Sequence, residues 1–417
     1  MIEKIIDLHI HSKFARACSK DLELPKIAKV CEEKGINIVS TGDFTHPGWF
    51  SLIKKELKED GGGLLSLKNS ESRTKFIIGT EISCIYKHRD KVRRIHLLIF
   101  VPSLEIAERF NKKLEEHGVN LRSDGRPMMG LTAKNIVEIC LGIDKRIVVI
   151  PAHAWTPWYA VFGSKSGYDS LEECFEELTP NIFAIETGLS SDPTMNRRIS
   201  KLDKIALVSN SDAHSLQNLG REANVIAFKN ENEVSYDSLW KKIRSGDKKQ
   251  FLYTIEFYPE EGMYYHDGHK TCNVSLKPSE TIHCKEICPV CKKKLTVGVL
   301  NRIEKLADRS ENKILGKFIS HRYIVPLREI IANAFEVGKA SKKVELEYRN
   351  MLLKLGSEFS VLLYEDLAKI DKIVSDKNIT LGIKNMRSGL VNVTPGYDGV
   401  YGKISVLENG KKVRKTN

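Results

Sequence analysis

Eight short runs of β-branched and other apolar residues punctuate the first 250 positions, and their spacing limits the folds open to this chain more than any other feature. The runs cover residues 5–11, 36–41, 76–85, 95–101, 147–151, 182–187, 205–209 and 225–228. Between them lie stretches with apolar residues at helical spacing, among them 24–34, 104–116, 132–141 and 171–178. Strands alternating with amphipathic helices predict an α/β fold of parallel strands and crossover helices. Seven or eight such units would close into a barrel, with an open doubly wound sheet as the second choice. A dinucleotide-binding sheet is disfavoured, because no GxGxxG opens a helix after the first strand.

Beyond residue 250 the pattern changes. An aromatic stretch at 251–265 gives way to a cluster of Cys and His, and helical spacing follows at 327–335 and 344–355. Residues 389–406 are Gly-rich and β-like, 61–63 read as a loop, and the basic end 411–417 is expected to fray. The expected division is a metal-hydrolase barrel at 1–250, a zinc-binding module at 251–300, and a basic helical region with a β-like end at 301–417. No run of about 18 apolar residues occurs, so no membrane span is expected. The first residues lead straight into a strand rather than a signal pattern, and nine cysteines form no regular framework, which points to a reducing, cytoplasmic setting.

The net charge is +12, and most of the excess falls after residue 250, where 28 Lys and Arg face 20 Asp and Glu. Clustered cations of this kind suit an anionic polymer as partner, because clustered Lys and Arg gain from counterion release. A solubilising surface is the plain alternative.

Residues of metal-ligand type fall where the apolar runs end. His9 and His11 are two apart, so a strand would point both the same way. Asp43 and His46 follow the second run, Glu81 and His96 lie in the third and fourth, and His153 and Glu186 close later ones. Asp212 and His214 form another pair two apart. In a parallel barrel the strand C-termini share one mouth, so these side chains would converge there. Imidazole with carboxylate suits Zn, Mn and Fe. One HxH pair has many structural explanations; two pairs with Glu81, His96 and His153 beside them have few.

A second constellation lies in the Cys/His cluster. His269 and Cys272 form one x₂-spaced pair and Cys288 and Cys291 another, the spacing of a tetrahedral zinc site. The partner of Cys272 is His269 by spacing, with Cys284, His266 and His283 as alternatives. A redox CxxC is the competing reading, but no thioredoxin-like pattern surrounds it. Lys285 and Lys292, Lys293 and Lys294 cluster beside the site and could meet phosphates or simply face solvent.

The strings DLHIHS, TGD, GTEIS, RIHLLIF, PAHAW and SDAH resemble the polymerase and histidinol phosphatase (PHP) domain. That resemblance implies a distorted seven-stranded β/α barrel holding three metal ions. His9, His11, Glu81 and Asp212 would hold one, Glu81, His96 and His153 a second, and His214 would belong to a third. It also implies catalytic roles for Asp212, His214 and Glu81. Many members carry Asp-His after the second strand, whereas this chain reads Gly42-Asp43-Phe44 with His46 beyond, so either Asp43 or His46 takes that role. A further ligand usual after the first HxH is missing from residues 12–20.

Longer strings, IETGLSSDPTMN, LVSNSDAHSLQNLGREA, YYHDGHKTCNVSL, ICPVCKKKLTVGVLNRIEKLADR and PGYDGVYGKISV, resemble the endonuclease Q family over roughly residues 3–406. The resemblance implies nicking of DNA 5′ of deaminated bases (uracil, hypoxanthine, xanthine) or abasic sites. Zn²⁺ would be structural in the Cys site and present in the barrel, with Mg²⁺ or Mn²⁺ for catalysis. An enzyme that reads an altered base extrudes and stacks it. Trp155, Trp158 and Tyr159 in the loop after His153, with Phe162, are candidates for stacking or for a hydrophobic plug; Tyr264, Tyr265, Tyr397 and Tyr401 are weaker ones. Arg197, Arg198 and Arg221 could grip phosphates or form surface ion pairs. A sliding clamp is a candidate partner, although no clamp-binding peptide stands out. Two other functions stay open: a small-molecule phosphatase such as histidinol phosphatase, and a binding protein with an inactive barrel.

Overall fold

The computed structural model describes residues 1–314, 316 and 318–407, so the segment 411–417 lies outside the described residues. The first part contains twelve strands: β1 (Ile2–Asp7), β2 (Ile38–Ser40), β3 (Leu57–Glu59), β4 (Leu65–Leu67), β5 (Lys75–His88), β6 (Lys91–Val101), β7 (Met128–Met129), β8 (Val148–Pro151), β9 (Ala184–Glu186), β10 (Ala206–Val208), β11 (Ala223–Phe228) and β12 (Phe251–Glu256). Helices stand where their spacing predicts, at Leu24–Lys34 and Leu104–Glu116. The helix expected at 132–141 runs Ala133–Ile143, with Thr132 and Asn135 exchanging side-chain and backbone hydrogen bonds at its start. The one expected at 171–178 stops at Phe175 and continues as a 3₁₀ turn, Glu176–Asn181, that contains Pro180. Glu176, at φ 51°, takes the backbone out of the helical region immediately after Phe175.

The sheet is mixed rather than all parallel. β1 pairs with β2 in parallel and with β11 antiparallel, and β2 continues in parallel to β5. β5 then turns back on β6, and β6 pairs with β8, both antiparallel. The cause is local. Only Arg89 and Asp90 separate β5 from β6, both with positive φ (50° and 60°), the geometry of a two-residue hairpin turn. A parallel pair would need a crossover of a dozen residues or more. Past β8, Ala154 N donates to Glu186 O (2.9 Å) at the end of β9, and β9 pairs in parallel with β10. Beyond β10, Ala213 bridges in parallel to Ile10, just past β1.

Alternation along the strands divides the apolar residues between two cores. Ile6, Ile38, Ile77, Leu98, Phe100 and Ile150 belong to one, and their neighbours Ile5, Val39, Ile78, Ile99, Val101 and Val149 to the other. The first core also takes Tyr236, Leu239, Trp240 and Ile243 from a later helix. The helix Tyr236–Ser245 covers the end where Ile2 pairs with Phe228, placing Trp240 against Phe100 (4.9 Å) and Phe183 (6.2 Å). His9, His11 and the other polar strand ends lie toward the opposite end. Among the described residues no helix is long and apolar enough to cross a membrane.

β12 extends the sheet beyond β11, and the chain then leaves it. β13 (Asp267–His269) and β14 (Val274–Leu276) form a small hairpin, followed by the helix Val299–Leu306. The chain returns as β15 (Ser320–Tyr323), which pairs in parallel with β12. Helices Leu327–Phe335, Lys342–Leu355 and Lys377–Arg387 follow, and the β-like end consists of β16 (Asn392–Thr394) paired antiparallel with β17 (Lys403–Ser405).

Candidate metal centres

The bridge at Ile10 carries the β1 geometry past Asp7. Ala213 N donates to His9 O (3.3 Å) and His11 N donates to Ala213 O (3.1 Å), so residues 9 to 11 stay extended and both imidazoles face one side. Their rings stand 5.3 Å apart, and both are buried. Asp212 Oδ1 lies 3.2 Å from His11 Nε2 and 3.5 Å from His9 Nε2. These three residues offer ligand atoms all within 4.8 Å of one another.

Glu81, His96 and His153 form a second such group. Glu81 Oε1 lies 2.6 Å from His96 Nδ1 and 3.0 Å from His153 Nε2. The other oxygen, Oε2, faces His11 Nε2 at 3.5 Å and His9 Nε2 at 3.7 Å, so one carboxylate joins both groups. His96 stands mid-strand rather than at a strand C-terminus. Because β6 runs antiparallel, its first half reaches the mouth; His96 lies opposite Ser83, two residues past Glu81.

These donors fit cations. His9 Nε2, His11 Nε2 and Asp212 Oδ1 are buried without hydrogen-bonding geometry to any partner, a costly state for polar atoms that nothing satisfies. Imidazole nitrogens and carboxylate oxygens facing a common point are what Zn, Mn or Fe would take. Electrostatics agrees. Burial works to lower His11, yet Asp43, Asp212 and Glu81 overcome it and lift the imidazole to about 9. Burial also opposes ionisation of Glu81, but His96, Arg126 and His9 hold it well below the usual carboxylate range. At His96 burial prevails and lowers the imidazole to about 4. Protons and metal therefore compete for the same nitrogens in the first group.

Four expected ligands fall outside these two groups. Asp43 uses Oδ1 on His11 Nδ1 (3.0 Å) and Oδ2 on Ser12 N (2.6 Å), so it fixes the His11 ring from behind. Glu186 does the same for His9, with Nδ1 at 3.1 Å, and also accepts from His153 N (2.6 Å) and Asn210 Nδ2 (2.8 Å). His46 caps the helix Pro47–Glu56 by accepting from Gly48 N (3.2 Å), its ring 4.4 Å from that of Phe14. His214 donates through Nδ1 to Asp212 O (2.9 Å), and its ring lies 4.6 Å from that of His11.

Sequence reasoning missed Arg126, whose Nη1 donates to Glu81 Oε2 at 2.8 Å. It sits in the irregular stretch between the helix Leu104–Glu116 and β7, where no periodicity marks it. Thr156, 3.1 Å from His153 Nδ1, was missed as well, although its place three residues after His153 was a visible clue.

A cavity of about 400 Å³ opens over both groups, lined by His153, Asp212, His214, Arg221, Tyr264 and Tyr401 among others. Arg221 lines it while donating to Ser211 O (2.8 Å). Two residues expected to meet substrate are withdrawn from it. Trp155 is buried at 1% exposure, donates to Asn196 Oδ1 (2.7 Å) and packs on Phe162, so it plugs the loop. Arg197 is buried too, donating to Leu202 O and Ile205 O with its guanidinium over Phe318. Trp158 and Tyr159 remain partly open; Trp158 meets Tyr264 edge-on (5.7 Å), and the Tyr159 ring lies 4.6 Å from that of His96.

The third group is His269, Cys272, Cys288 and Cys291, again with ligand atoms within 4.8 Å of one another. Cys291 Sγ lies 3.4 Å from His269 Nδ1. His283 turns instead to Ser279 O (2.7 Å), and neither Cys284 nor His266 belongs to the group. The turn between Cys288 and Cys291 is closed by Lys292 N donating to Cys288 O (3.0 Å), with Lys292 at φ 62°. Among the described residues Val274, Cys288 and Leu295 form the buried apolar centre of this unit, with Cys272, Leu276 and Cys291 packed against it. A core that small does not order a chain alone, and a metal held by three thiolates and an imidazole would supply the deficit.

An α/β scaffold that brings two adjoining histidine–carboxylate groups together has the build of a metal-dependent hydrolase. Comparison with solved structures narrows this. The fold is similar to the lesion-specific endonuclease PfuEndoQ from Pyrococcus furiosus, with a TM-score of 0.85 and 30% identity over 97% of this chain and 95% of that one. It is equally similar, at TM-score 0.85 and 30% identity over 98% and 97% of the two chains, to an endonuclease Q solved with a 27-mer duplex bearing an abasic lesion at its active site. The chain belongs to the endonuclease Q family. An uncharacterized protein of Bacillus subtilis (strain 168), YqxK, is 28% identical over 95% of this chain and 98% of its own length. Residues 326–390 match the family model of the MJ0043 C-terminal domain.

Proposed function

We propose that this protein is a metal-dependent DNA-repair endonuclease that hydrolyses the phosphodiester bond 5′ of a deaminated base (uracil, hypoxanthine or xanthine) or of an abasic site. The observation that carries the reading is the joining of two ligand groups by Glu81, in a chain similar end to end to lesion-specific endonucleases. His9, His11 and Asp212 would hold one divalent ion and His96 and His153 another, with Glu81 reaching both and His214 available to a third. Bound there, such ions supply a hydroxide near neutral pH and neutralise charge on a phosphoryl oxygen. The chain's own residues orient that set. Asp43, Glu186 and Thr156 each hold the far nitrogen of a ligating imidazole, which fixes the ring and its tautomer. Arg126 holds Glu81 at the junction of the two groups.

Zn²⁺ is proposed for the Cys site, and Zn²⁺, Mg²⁺ or Mn²⁺ for the barrel. The run β1-β2-β5-β6-β8 and the separate pair β9-β10, linked by the Ala154–Glu186 hydrogen bond and the Ile10–Ala213 bridge, are read together as a seven-stranded barrel of the PHP type. The division at 250 and 300 is proposed as one of roles, since β12 and β15 carry the first sheet across both boundaries. DNA is the proposed partner and the cytoplasm the proposed location; the sliding clamp entertained from the sequence is not part of the proposal.

The test uses end-labelled duplexes carrying one deoxyinosine, one deoxyuridine, one abasic site or none, incubated with Mg²⁺, Mn²⁺ or EDTA. A metal-dependent nick immediately 5′ of the lesion is expected. Turnover of histidinol phosphate with no lesion-selective cut would move the function to the phosphatase alternative.

A further inference from the structure

Trp158 and Tyr159 separate the mouth over the metal groups from a second concavity. The Tyr159 ring lies 4.6 Å from that of His96 and has the Arg94 guanidinium 5.7 Å from its centre, and His96 and Arg94 stand two apart on β6. Beyond them lies a polar groove of about 620 Å³ whose wall includes Lys91, Arg93, Arg94, Lys165, Arg302 and Lys305. Two of these six are spent on the fold. Arg93 is buried, donating to Gly167 O and lying over the Tyr168 ring. Arg302 donates to Phe162 O (2.8 Å) and Tyr168 O (2.9 Å) and pairs with Asp169 (2.6 Å).

Among the described residues the side chains of the other four donate no hydrogen bond, and only Arg94 has a ring contact, with Tyr159. Lys91, Lys165 and Lys305 are exposed and Arg94 half-buried, and among the described residues none of the four makes an ion pair. The acidic residues on the same wall are already engaged, Asp169 by Arg302 and Glu173 by the backbone N–H of Asp169. The cations come from separate elements: the β5–β6 hairpin, the 164–167 loop and the helix Val299–Leu306. Three of the four are exposed and none is fully buried, unlike donors enclosing a single small anion. A row of spaced, solvated cations matches a row of phosphates.

We propose that this groove holds the phosphodiester backbone of DNA as it leaves the metal mouth, with Lys91, Arg94, Lys165 and Lys305 as its phosphate contacts. The proposal rests on the endonuclease reading and adds to it a direction, from His96 across Tyr159 into the groove.

The test replaces Lys91, Lys165 and Lys305 together by Ala and measures binding to a duplex several helical turns long, by anisotropy in EDTA across a salt series. All three are exposed, so folding is not at risk. Affinity near about 0.15 M salt is expected to fall about tenfold or more, and the slope of log K against log salt to become shallower by about 2 to 3. The control changes Lys229, Lys248 and Lys249, exposed lysines at the opposite end of the sheet, and is expected to leave both quantities unchanged. An unchanged affinity and slope in the groove variant overturns the proposal, even if the native enzyme nicks lesions. Loss of binding by the groove variant, with no lesion nicking by the native enzyme, keeps the groove and sinks the endonuclease reading instead.

Discussion

Arg126 Nη1 lies 2.8 Å from Glu81 Oε2, the same oxygen that faces His11 at 3.5 Å and His9 at 3.7 Å. The guanidinium therefore steers the carboxylate that joins the two ligand groups. Arg126→Met should leave the fold intact and cut nicking about 10- to 100-fold, the usual effect of losing a contact that orients a ligand. Arg126→Lys should restore part of it. Metal titration alongside single-turnover rates checks this; a Met variant with native metal affinity and native rate refutes it.

Asp212→Ala removes a donor from the first group without touching the basic groove. Cleavage is expected to drop below detection while duplex affinity in EDTA stays within about twofold, because phosphate contacts carry most of that affinity. Elemental analysis should show metal lost from the barrel and kept at the cysteines. A variant that still cuts would mean that Asp212 is not a ligand.

His269→Ala is expected to release about one equivalent of zinc and lower the thermal midpoint, whereas Cys284→Ser should keep full metal content, since among the described residues it is His269 that joins the three thiols. Zinc counting on both variants decides between them. Retention by the first and loss by the second would place the fourth ligand at Cys284.

How far such a site can be read from sequence depends on which physical rule places each residue. His9 and His11 were legible because period-2 geometry is local and Ala213 keeps it past the end of β1. Spacing also favoured His269 over Cys284, and the structure groups it so. His96 was found with the wrong geometry, since an all-parallel reading overlooked the two-residue link at Arg89 and Asp90. Trp155 and Trp158 stand three apart in one loop, and nothing local tells the buried ring from the open one; Asn196, forty-one positions on, decides it. Arg126 depends wholly on a contact between distant segments and left no pattern to read.

Trp155→Ala should act on stability and not on recognition. The ring is buried against Phe162, and truncating a large buried aromatic costs about 3–5 kcal/mol. Urea unfolding is expected to show that loss, while lesion selectivity of the folded fraction stays native. A selective loss of binding to lesion DNA at full stability would return Trp155 to the substrate.

Glu261 sets a pH dependence. Burial, reinforced by Glu329 and Glu260 and opposed by Lys339 and Arg221, raises its carboxyl to about 8 from an ordinary value of 4.5. Between those values the folded chain holds a proton that the unfolded chain releases, so this contribution to stability falls as pH rises from about 4.5 to about 8 and is level outside that window. Glu261→Gln should flatten the decline in denaturation midpoint across that range. An identical decline in both proteins would assign it to other groups.

β12 and β15 are neighbouring parallel strands, and all of residues 257–319 lies between them in sequence. Parallel neighbours require a crossover, a place most often filled by a helix. Here the crossover is the entire cysteine-bearing module. It is spliced into the sheet at both ends rather than hung from one, so a force on the module is shared by two adjacent strands, one of which abuts the strand beside β1.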